Sequence, residues 1–127
     1  MEDRYLFRAK HSLESQKWHT GNIVKEPDGL YIRDINKKVM VFINDTSIIC
    51  QCTGLRDKNG KLIWKNDIVN CTDAESYGYI SWNESEAGFY FNVLLEGGGF
   101  EEEHIYDYQD CMEVIGNIFD NKDLLES

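Results

Sequence analysis

The chain has 127 residues, of which 42% are hydrophobic and 13% aromatic, and its net charge is -10. This length favours a single domain, and so many large apolar side chains exclude a disordered chain. A phosphate-binding surface is excluded from most of the second half, because residues 66–121 contain no Lys or Arg.

Short β-strand patterns recur along the chain, separated by Gly, Asn and Asp clusters. In the first half they predict strands at 5–9, 30–33, 39–43 and 47–52, with a hairpin around Asn36-Lys37. In the second half they predict strands at 68–71, 78–82, 88–94 and 112–118 and one helical turn after Asn121. This pattern predicts an all-β fold. We expect a small, partly open SH3-like barrel in the C-terminal two-thirds, an N-terminal β subdomain and one short C-terminal helical turn.

Turn residues give the clearest local signals. Asn59-Gly60 tolerates the positive φ of a tight hairpin, and Asn66-Asp67 predicts a second turn because Asn accepts the left-handed conformation. Gly97-Gly98-Gly99 predicts a mobile loop before an acidic run. We interpret six residues as structural turn positions: Gly54, Asn59, Gly60, Asn66, Asp67 and Gly116. Among the glycines of this set, we expect positive φ at Gly60 and Gly116.

Candidate catalytic or metal-binding residues are few. The four cysteines are Cys50, Cys52, Cys71 and Cys111, and they fit small buried thiols, since C-x-C on a strand lacks the paired C-x-x-C spacing of zinc sites. His11 and His19 flank Trp18 in a polar stretch and are interpreted as exposed loop residues. We predict no catalytic residue, no metal ligand and no cofactor.

The candidate binding surface follows the glycine loop and combines acidic with aromatic side chains: Glu101, Glu102, Glu103, Tyr106, Asp107, Tyr108 and Asp110. Aromatic rings in acidic company make a poor groove for a phosphate backbone, so we expect no direct nucleic-acid binding. Rings beside carboxylates suit contact with a protein. No segment has the apolar length of a signal peptide or membrane span, so we expect a cytoplasmic protein without membrane contact.

Several blocks resemble the YopX family. They are Leu6-Phe7-Arg8-Ala9, the stretches at 51–61 and 63–69, Gly78-Tyr79-Ile80-Ser81-Trp82, Ala87-Gly88-Phe89 and the ending at 114–125. The chain departs from that family's pattern at Asn66, where Gly is usual, at Cys52, where an aromatic is usual, and at Lys122, where Pro is common. The resemblance implies a mainly β protein of phage or prophage origin in a bacterial host cell. It implies one YopX-like domain over 1–127 and maps no active site. The strand pattern allows a subdivision of that domain into an N-terminal β subdomain at 1–52 and a barrel-like subdomain at 53–127.

Three functions remain open. The leading hypothesis is a protein-binding or self-assembling module without catalysis, whose partner is another protein or a second copy. Residues 1–63 carry a net charge of +3 and residues 64–127 a net charge of -13, which favours head-to-tail contact. The second hypothesis is an acidic mimic of nucleic acid that inhibits a host DNA-handling protein. The third is a metal-dependent enzyme that uses His104 with nearby Glu or Cys.

Overall fold

The computed structural model describes residues 5–71 and 76–125. Contacts divide the chain into two compact units, Met1–Gly54 and Leu55–Ser127. The described residues form β-strands joined by short turns, and the longest helical segment among them, Lys122–Leu125, has four residues. The expected all-β fold with one short C-terminal helical turn is therefore confirmed.

The first unit is built on antiparallel strands. They are β1 (Phe7–Ala9), β2 (His19–Glu26), β3 (Gly29–Asp34), β4 (Met40–Phe42) and β5 (Cys50–Arg56), with a 3-10 turn at Thr46–Ile48. Their order in the sheet is β4-β3-β2-β1-β5. Along the chain β5 is followed by β6 (Leu62–Trp64), which belongs to the second unit. The predicted hairpin of β3 and β4 is confirmed, with Tyr31 opposite Phe42 and Arg33 opposite Met40.

Two strands of this unit differ from the sequence prediction, which includes no strand at 19–26. Residues 19–26 form β2, which pairs with β1 and β3 through its backbone, although their side chains show no apolar alternation. The strand expected at 47–52 begins only at Cys50, because a 3-10 turn precedes it. The Asp45 side chain caps that turn by accepting a hydrogen bond from the Ser47 backbone N–H at 3.0 Å.

The second unit contains a five-stranded antiparallel sheet. Its strands are β7 (Asp67–Cys71), β8 (Ser76–Asn83), β9 (Gly88–Leu94), β10 (Phe100–His104) and β11 (Met112–Asn117), in the order β10-β9-β8-β7-β11. Short 3-10 turns at Ile105–Asp107 and Gln109–Cys111 connect β10 to β11. The terminal strands β10 and β11 do not pair with each other, so the sheet remains open.

One face of this sheet forms the core of the unit. Alternate residues along each strand point to it, and its buried members are Ile63, Val69, Cys71, Ile80, Phe91, Ile105 and Met112. Phe91 is completely buried, which contributes about 1.5–3 kcal/mol relative to an exposed ring. The Tyr77 hydroxyl donates a hydrogen bond to the Leu124 carbonyl, so the C-terminal turn is attached to β8.

Asp57 holds the hairpin between β5 and β6 together and attaches it to β11. Its Oδ1 accepts hydrogen bonds from the backbone N–H groups of Asn59 and Lys61, each at 2.9 Å. Its Oδ2 accepts one from the Val114 N–H, also at 2.9 Å. Gly60 has φ 84°, the left-handed conformation that favours glycine, whereas Asn59 does not have a positive φ. The Asp57 side chain therefore has a structural role in this turn.

Asn117 organises the chain after β11 in a similar way. Its Oδ1 accepts hydrogen bonds from the N–H groups of Phe119 and Asp120 at 3.0 and 2.9 Å, and its own N–H donates to Asn121 Oδ1. The Asn121 side chain also explains Gly116, because a Cβ at Gly116 would lie 2.5 Å from Asn121 Oδ1. Gly116 does not have the expected positive φ. It is constrained by this close approach and by the irregular register of β11 between Val114 and Gly116.

Candidate functional site

The face of the β8-β9-β10 sheet opposite the core combines aromatic rings with carboxylate, amide and hydroxyl groups. Across the three strands Tyr79 lies opposite Asn92 and Asn92 opposite Glu102, while Ser81 lies opposite Tyr90 and Tyr90 opposite His104. Residues two apart on a strand share a face. We call this surface the aromatic–acidic face, and its members are Tyr79, Ser81, Asn83, Tyr90, Asn92, Phe100, Glu102 and His104.

Two ring pairs occupy this face. The rings of Tyr79 and Phe100 meet edge to face with centroids 5.0 Å apart, and those of Tyr90 and His104 are tilted with centroids also 5.0 Å apart. Phe100 and His104 both belong to β10, and the exposed Glu102 lies between them. A carboxylate is thus flanked on each side by a ring pair. Phe100 remains 42% exposed, which is unusual for a phenylalanine.

Hydrogen bonds fix the polar members of the face. Asn83 Nδ2 donates to Glu102 Oε1 at 2.7 Å, which draws the carboxylate back over the sheet. Asn92 Nδ2 donates to Ser81 Oγ at 2.5 Å. Each bond joins residues on different strands, so side-chain orientation on the face depends on the register of β8, β9 and β10.

The electrostatic environment of the face is negative. Burial and then the Glu86 and Glu102 carboxylates raise the pKa of Tyr90 above its ordinary value. No Lys or Arg occurs between Lys65 and Lys122 to offset these charges. Aromatic faces and carboxylates both attract cations, so the arrangement suits a Lys or Arg side chain supplied from outside.

The seven candidate surface residues divide between several locations. Glu101 and Glu103 lie on the core side of β10, opposite Val93 and Phe91. Tyr106 is 74% exposed, and Asp107 and Asp110 are exposed on the 3-10 turns. Of the seven, Glu102 belongs to the aromatic–acidic face. The ring members Tyr79, Tyr90 and Phe100 were outside the predicted set, although the alternation of 79, 81 and 83 with apolar neighbours signals a second face.

Tyr108 turns inward, away from a surface role. It is half-buried, and its ring meets that of Phe91 edge to face at 5.0 Å. Burial, followed by the charges of Glu103, Asp107 and Cys71, raises the pKa of its hydroxyl, while a hydrogen bond with Ser76 acts in the opposite direction. Tyr108 therefore supports the core of the second unit.

His104 and the cysteines do not converge on one site. The His104 ring lies against Tyr90, as described above. Cys50, Cys52 and Cys71 are buried thiols and Cys111 is a half-buried one. Within residues 5–71 and 76–125, no group of three or more His, Cys, Asp or Glu side chains is arranged to hold a metal ion.

A buried histidine–aspartate pair lies in the first unit. His19 Nδ1 is 2.7 Å from Asp34 Oδ2, and both residues are buried, so the interpretation of His19 as an exposed loop residue is wrong. Asp34 Oδ1 accepts from the N–H groups of Asn36 and Lys37 at 2.8 and 3.0 Å. The bond with His19, opposed by burial and assisted by the Asn36 N–H, lowers the pKa of Asp34. The pair anchors the turn between β3 and β4.

Comparison with known proteins identifies one family. Residues 7–126 match the family model described as YopX protein. A comparison with curated proteins finds no match. The family match spans the structural residues Asp57 and Asn117 as well as the whole aromatic–acidic face. Among the described residues, no helix is long and apolar enough to cross a membrane.

Proposed function

This chain belongs to the YopX family, and on that premise we propose that it is a protein-binding module of phage or prophage origin without catalytic machinery. It acts in the cytoplasm of the bacterial host, and its aromatic–acidic face binds a positively charged protein surface. One observation carries this proposal: Glu102 lies between the Tyr79–Phe100 and Tyr90–His104 ring pairs, on a face whose members, as named above, include no Lys or Arg.

The distribution of carboxylates supports a binding function over catalysis. The buried Asp57 and Asp34 are each engaged by several backbone N–H groups or by a histidine. Asp67, also buried, accepts from the Trp64 N–H at 2.8 Å. These three carboxylates stabilise turns by accepting backbone hydrogen bonds. The exposed acids, by contrast, include Glu101 and Glu102 of β10 and Asp107 and Asp110 of the two 3-10 turns that follow it.

A Lys or Arg side chain from the partner fits Glu102 best. The carboxylate supplies the charge, and the flanking rings contact the alkyl stem and the cationic group. Asn83 holds the carboxylate in place before binding, which lowers the ordering cost of the complex. Exposed ion pairs are worth about 0.2–1 kcal/mol, so the rings must contribute part of the affinity.

Titration with a short Arg- and Lys-containing peptide tests this function. We expect amide chemical shifts to change at Tyr79, Tyr90 and Glu102 in a two-dimensional NMR spectrum. Glu102→Gln should weaken binding by roughly three- to fivefold. Glu96→Gln is the matched control, since it removes the same charge from an exposed loop of the same unit, outside the face. Equal weakening by both variants would refute a specific role for the face.

The mimicry of nucleic acid is a second candidate, because Glu101 and Glu103 lie on one side of β10, about 6.8 Å apart along the strand. Glu101, Asp107 and Asp110 are exposed, and Glu103 is half-buried. A mimic displaces DNA from a basic DNA-binding protein in a competition assay. If such displacement requires Glu101 and Glu103 and is indifferent to Glu102, mimicry is favoured over docking at the aromatic–acidic face.

Self-association is the remaining form of the binding proposal. It is supported by the opposite charges of residues 1–63 and 64–127. Sedimentation at low and high salt measures it directly, because contact between oppositely charged surfaces weakens as salt rises. A single monomeric species at every salt concentration would refute self-association and leave a different protein as the partner.

A further inference from the structure

The terminal strands of the two sheets differ in how their outer edges are covered. On β11 the Val114 N–H donates to Asp57 Oδ2, and the Met112 carbonyl accepts from the Lys58 N–H, each at 2.9 Å. On β4 the Phe42 carbonyl is 2.8 Å from His11 Nδ1. These contacts occupy backbone groups that would otherwise be available to another strand.

The outer edge of β10 has no such cover from the residues that the structure describes. β10 ends the sheet order and pairs with β9 alone. The Leu95 N–H donates to the Gly99 carbonyl at 2.9 Å. The backbone groups of these two residues therefore point inward, toward each other, at the start of the hairpin between β9 and β10. Inward and outward bonding alternate along an antiparallel strand. The backbone groups of Phe100, Glu102 and His104 therefore face the open edge.

The same three residues place their side chains on the aromatic–acidic face. Those side chains are held there by Tyr79, Asn83 and Tyr90 of the neighbouring strands. The edge thus presents a row of backbone donors and acceptors beside an ordered set of side chains. Addition of a peptide strand uses both features, because main-chain hydrogen bonds give affinity and alternate side chains give specificity.

The charges on β10 restrict which strand can be added. Glu101, Glu102 and Glu103 are consecutive, and like charges directly opposite each other destabilise a strand pair. A second copy of β10 is therefore disfavoured at this edge. A segment with Lys or Arg at three consecutive positions would place its central side chain beside Glu102 on the aromatic–acidic face, and its neighbours beside Glu101 and Glu103.

We infer that the open edge of β10 binds an extended segment of another protein, rich in Lys and Arg, as an additional β-strand. This inference rests on the proposed function and adds the mode of recognition. The partner segment pairs its backbone with Phe100, Glu102 and His104. Its central basic side chain reaches the Glu102 carboxylate between the two ring pairs.

Backbone methylation of a peptide separates strand addition from simple charge attraction. The probe is the seven-residue peptide Ser-Val-Lys-Arg-Lys-Val-Ser with blocked ends, titrated by calorimetry against the full chain. In an added strand alternate N–H groups face β10. Methylating one alternate set should therefore weaken binding at least about tenfold, and methylating the other set should change it less than about twofold.

Two variants of Glu102 provide the matching change in the protein. Glu102→Gln removes the charge, whereas Glu102→Pro also removes the outward N–H without removing a bond to β9. We expect Glu102→Pro to bind the peptide several-fold more weakly than Glu102→Gln. The amides of Phe100 and His104 should gain protection from hydrogen exchange when the peptide binds to the unaltered chain. This measurement does not depend on whether either variant folds.

The outcomes are distinguishable. If both methylated peptides bind as well as the parent peptide and the amides of Phe100 and His104 gain no protection, strand addition is wrong, while binding to a basic partner stands. If no basic peptide binds, the proposed function fails as well. If the chain dimerises through β10, detected as protection of the same amides at rising protein concentration without peptide, the occupant is a second copy and the inference is overturned.

Discussion

Replacing Asp57 with asparagine tests the hydrogen bonds that attach the hairpin between β5 and β6 to β11. Asparagine keeps an oxygen at Oδ1, which still accepts from the N–H groups of Asn59 and Lys61. It places an NH₂ group at Oδ2, where the Val114 N–H points. Two donors then face each other in a position that is 6% exposed, and the charge that strengthens all three bonds is lost.

The expected cost follows from these contacts. Hydrogen bonds to charged groups contribute about 1.5–3 kcal/mol, and an unsatisfied buried donor costs about 1–3 kcal/mol. We expect Asp57→Asn to lower the free energy of unfolding by about 2–4 kcal/mol. Asp45→Asn is the matched control. Both hydrogen bonds of Asp45 go to Oδ1, which asparagine retains, so its cost should stay within about 0.5 kcal/mol.

The same residue gives a pH dependence with a definite sign. Burial raises the pKa of Asp57, but the N–H groups of Val114, Lys61 and Asn59 outweigh it, so the pKa lies below its ordinary value. The stabilisation is therefore complete above the unfolded pKa of about 3.9 and is lost as pH falls through the lower folded pKa. The difference between the unaltered chain and Asp57→Asn should shrink below about pH 4.

Urea unfolding followed by tryptophan fluorescence, at neutral pH and at several acidic pH values, measures both effects. Hydrogen exchange at the Val114 amide gives an independent reading, since that amide should exchange faster in Asp57→Asn than in the unaltered chain. An unfolding free energy within about 0.5 kcal/mol of the unaltered chain, with Val114 equally protected, would refute this account of Asp57.

Three further predictions concern other parts of the chain. Gly116→Ala should lower the free energy of unfolding in urea by about 1–3 kcal/mol, because the new Cβ would meet the side-chain amide of Asn121. Adding Asn121→Ala to the same chain should recover part of that loss. Purely additive losses would contradict this contact. His19→Leu should cost about 1–3 kcal/mol by thermal or urea unfolding, since it leaves the buried Oδ2 of Asp34 without the His19 hydrogen bond; a neutral effect would show that the pair is not needed. In the native protein a thiol reagent should modify Cys111 first, because it is the cysteine with partial exposure; mass spectrometry that finds another cysteine labelled earlier would contradict the described burial.

Sequence reasoning succeeded where a strand has one apolar and one polar side. Strand β9 was predicted with the bounds that it has in the structure, because Phe91 and its alternate neighbours face the core while Tyr90 and Asn92 lie on the opposite face of the sheet. Strand β2 was missed because its side chains are largely polar. It exists because neighbours on both sides satisfy its backbone. Strand β10 was missed as well, because consecutive glutamates are typical of a loop. A strand tolerates them when it lies at the edge of a sheet.

The candidate site was harder to predict for a different reason. The pairing of His19 with Asp34, 15 residues apart, depends on the register of two strands and leaves no local pattern. The aromatic–acidic face likewise requires three strands in register before Tyr79 can meet Phe100 or Asn83 can meet Glu102. Composition indicated an acidic, aromatic region, but the side of β10 on which each glutamate lies follows only from the sheet.

The hydrogen bonds of Asp57 span very different distances along the chain, with consequences for folding kinetics. Its bonds to Asn59 and Lys61 close a turn of a few residues, whereas its bond to Val114 joins groups 57 positions apart. Local turns form within microseconds, while distant segments meet only after much of the chain has collapsed. The Val114 bond should therefore be absent from the folding transition state. Asp57→Asn should accelerate unfolding more than it slows refolding, because only the weakened local bonds to Asn59 and Lys61 act on the refolding rate. This carboxylate would then determine mainly the lifetime of the native state rather than the speed at which it is reached.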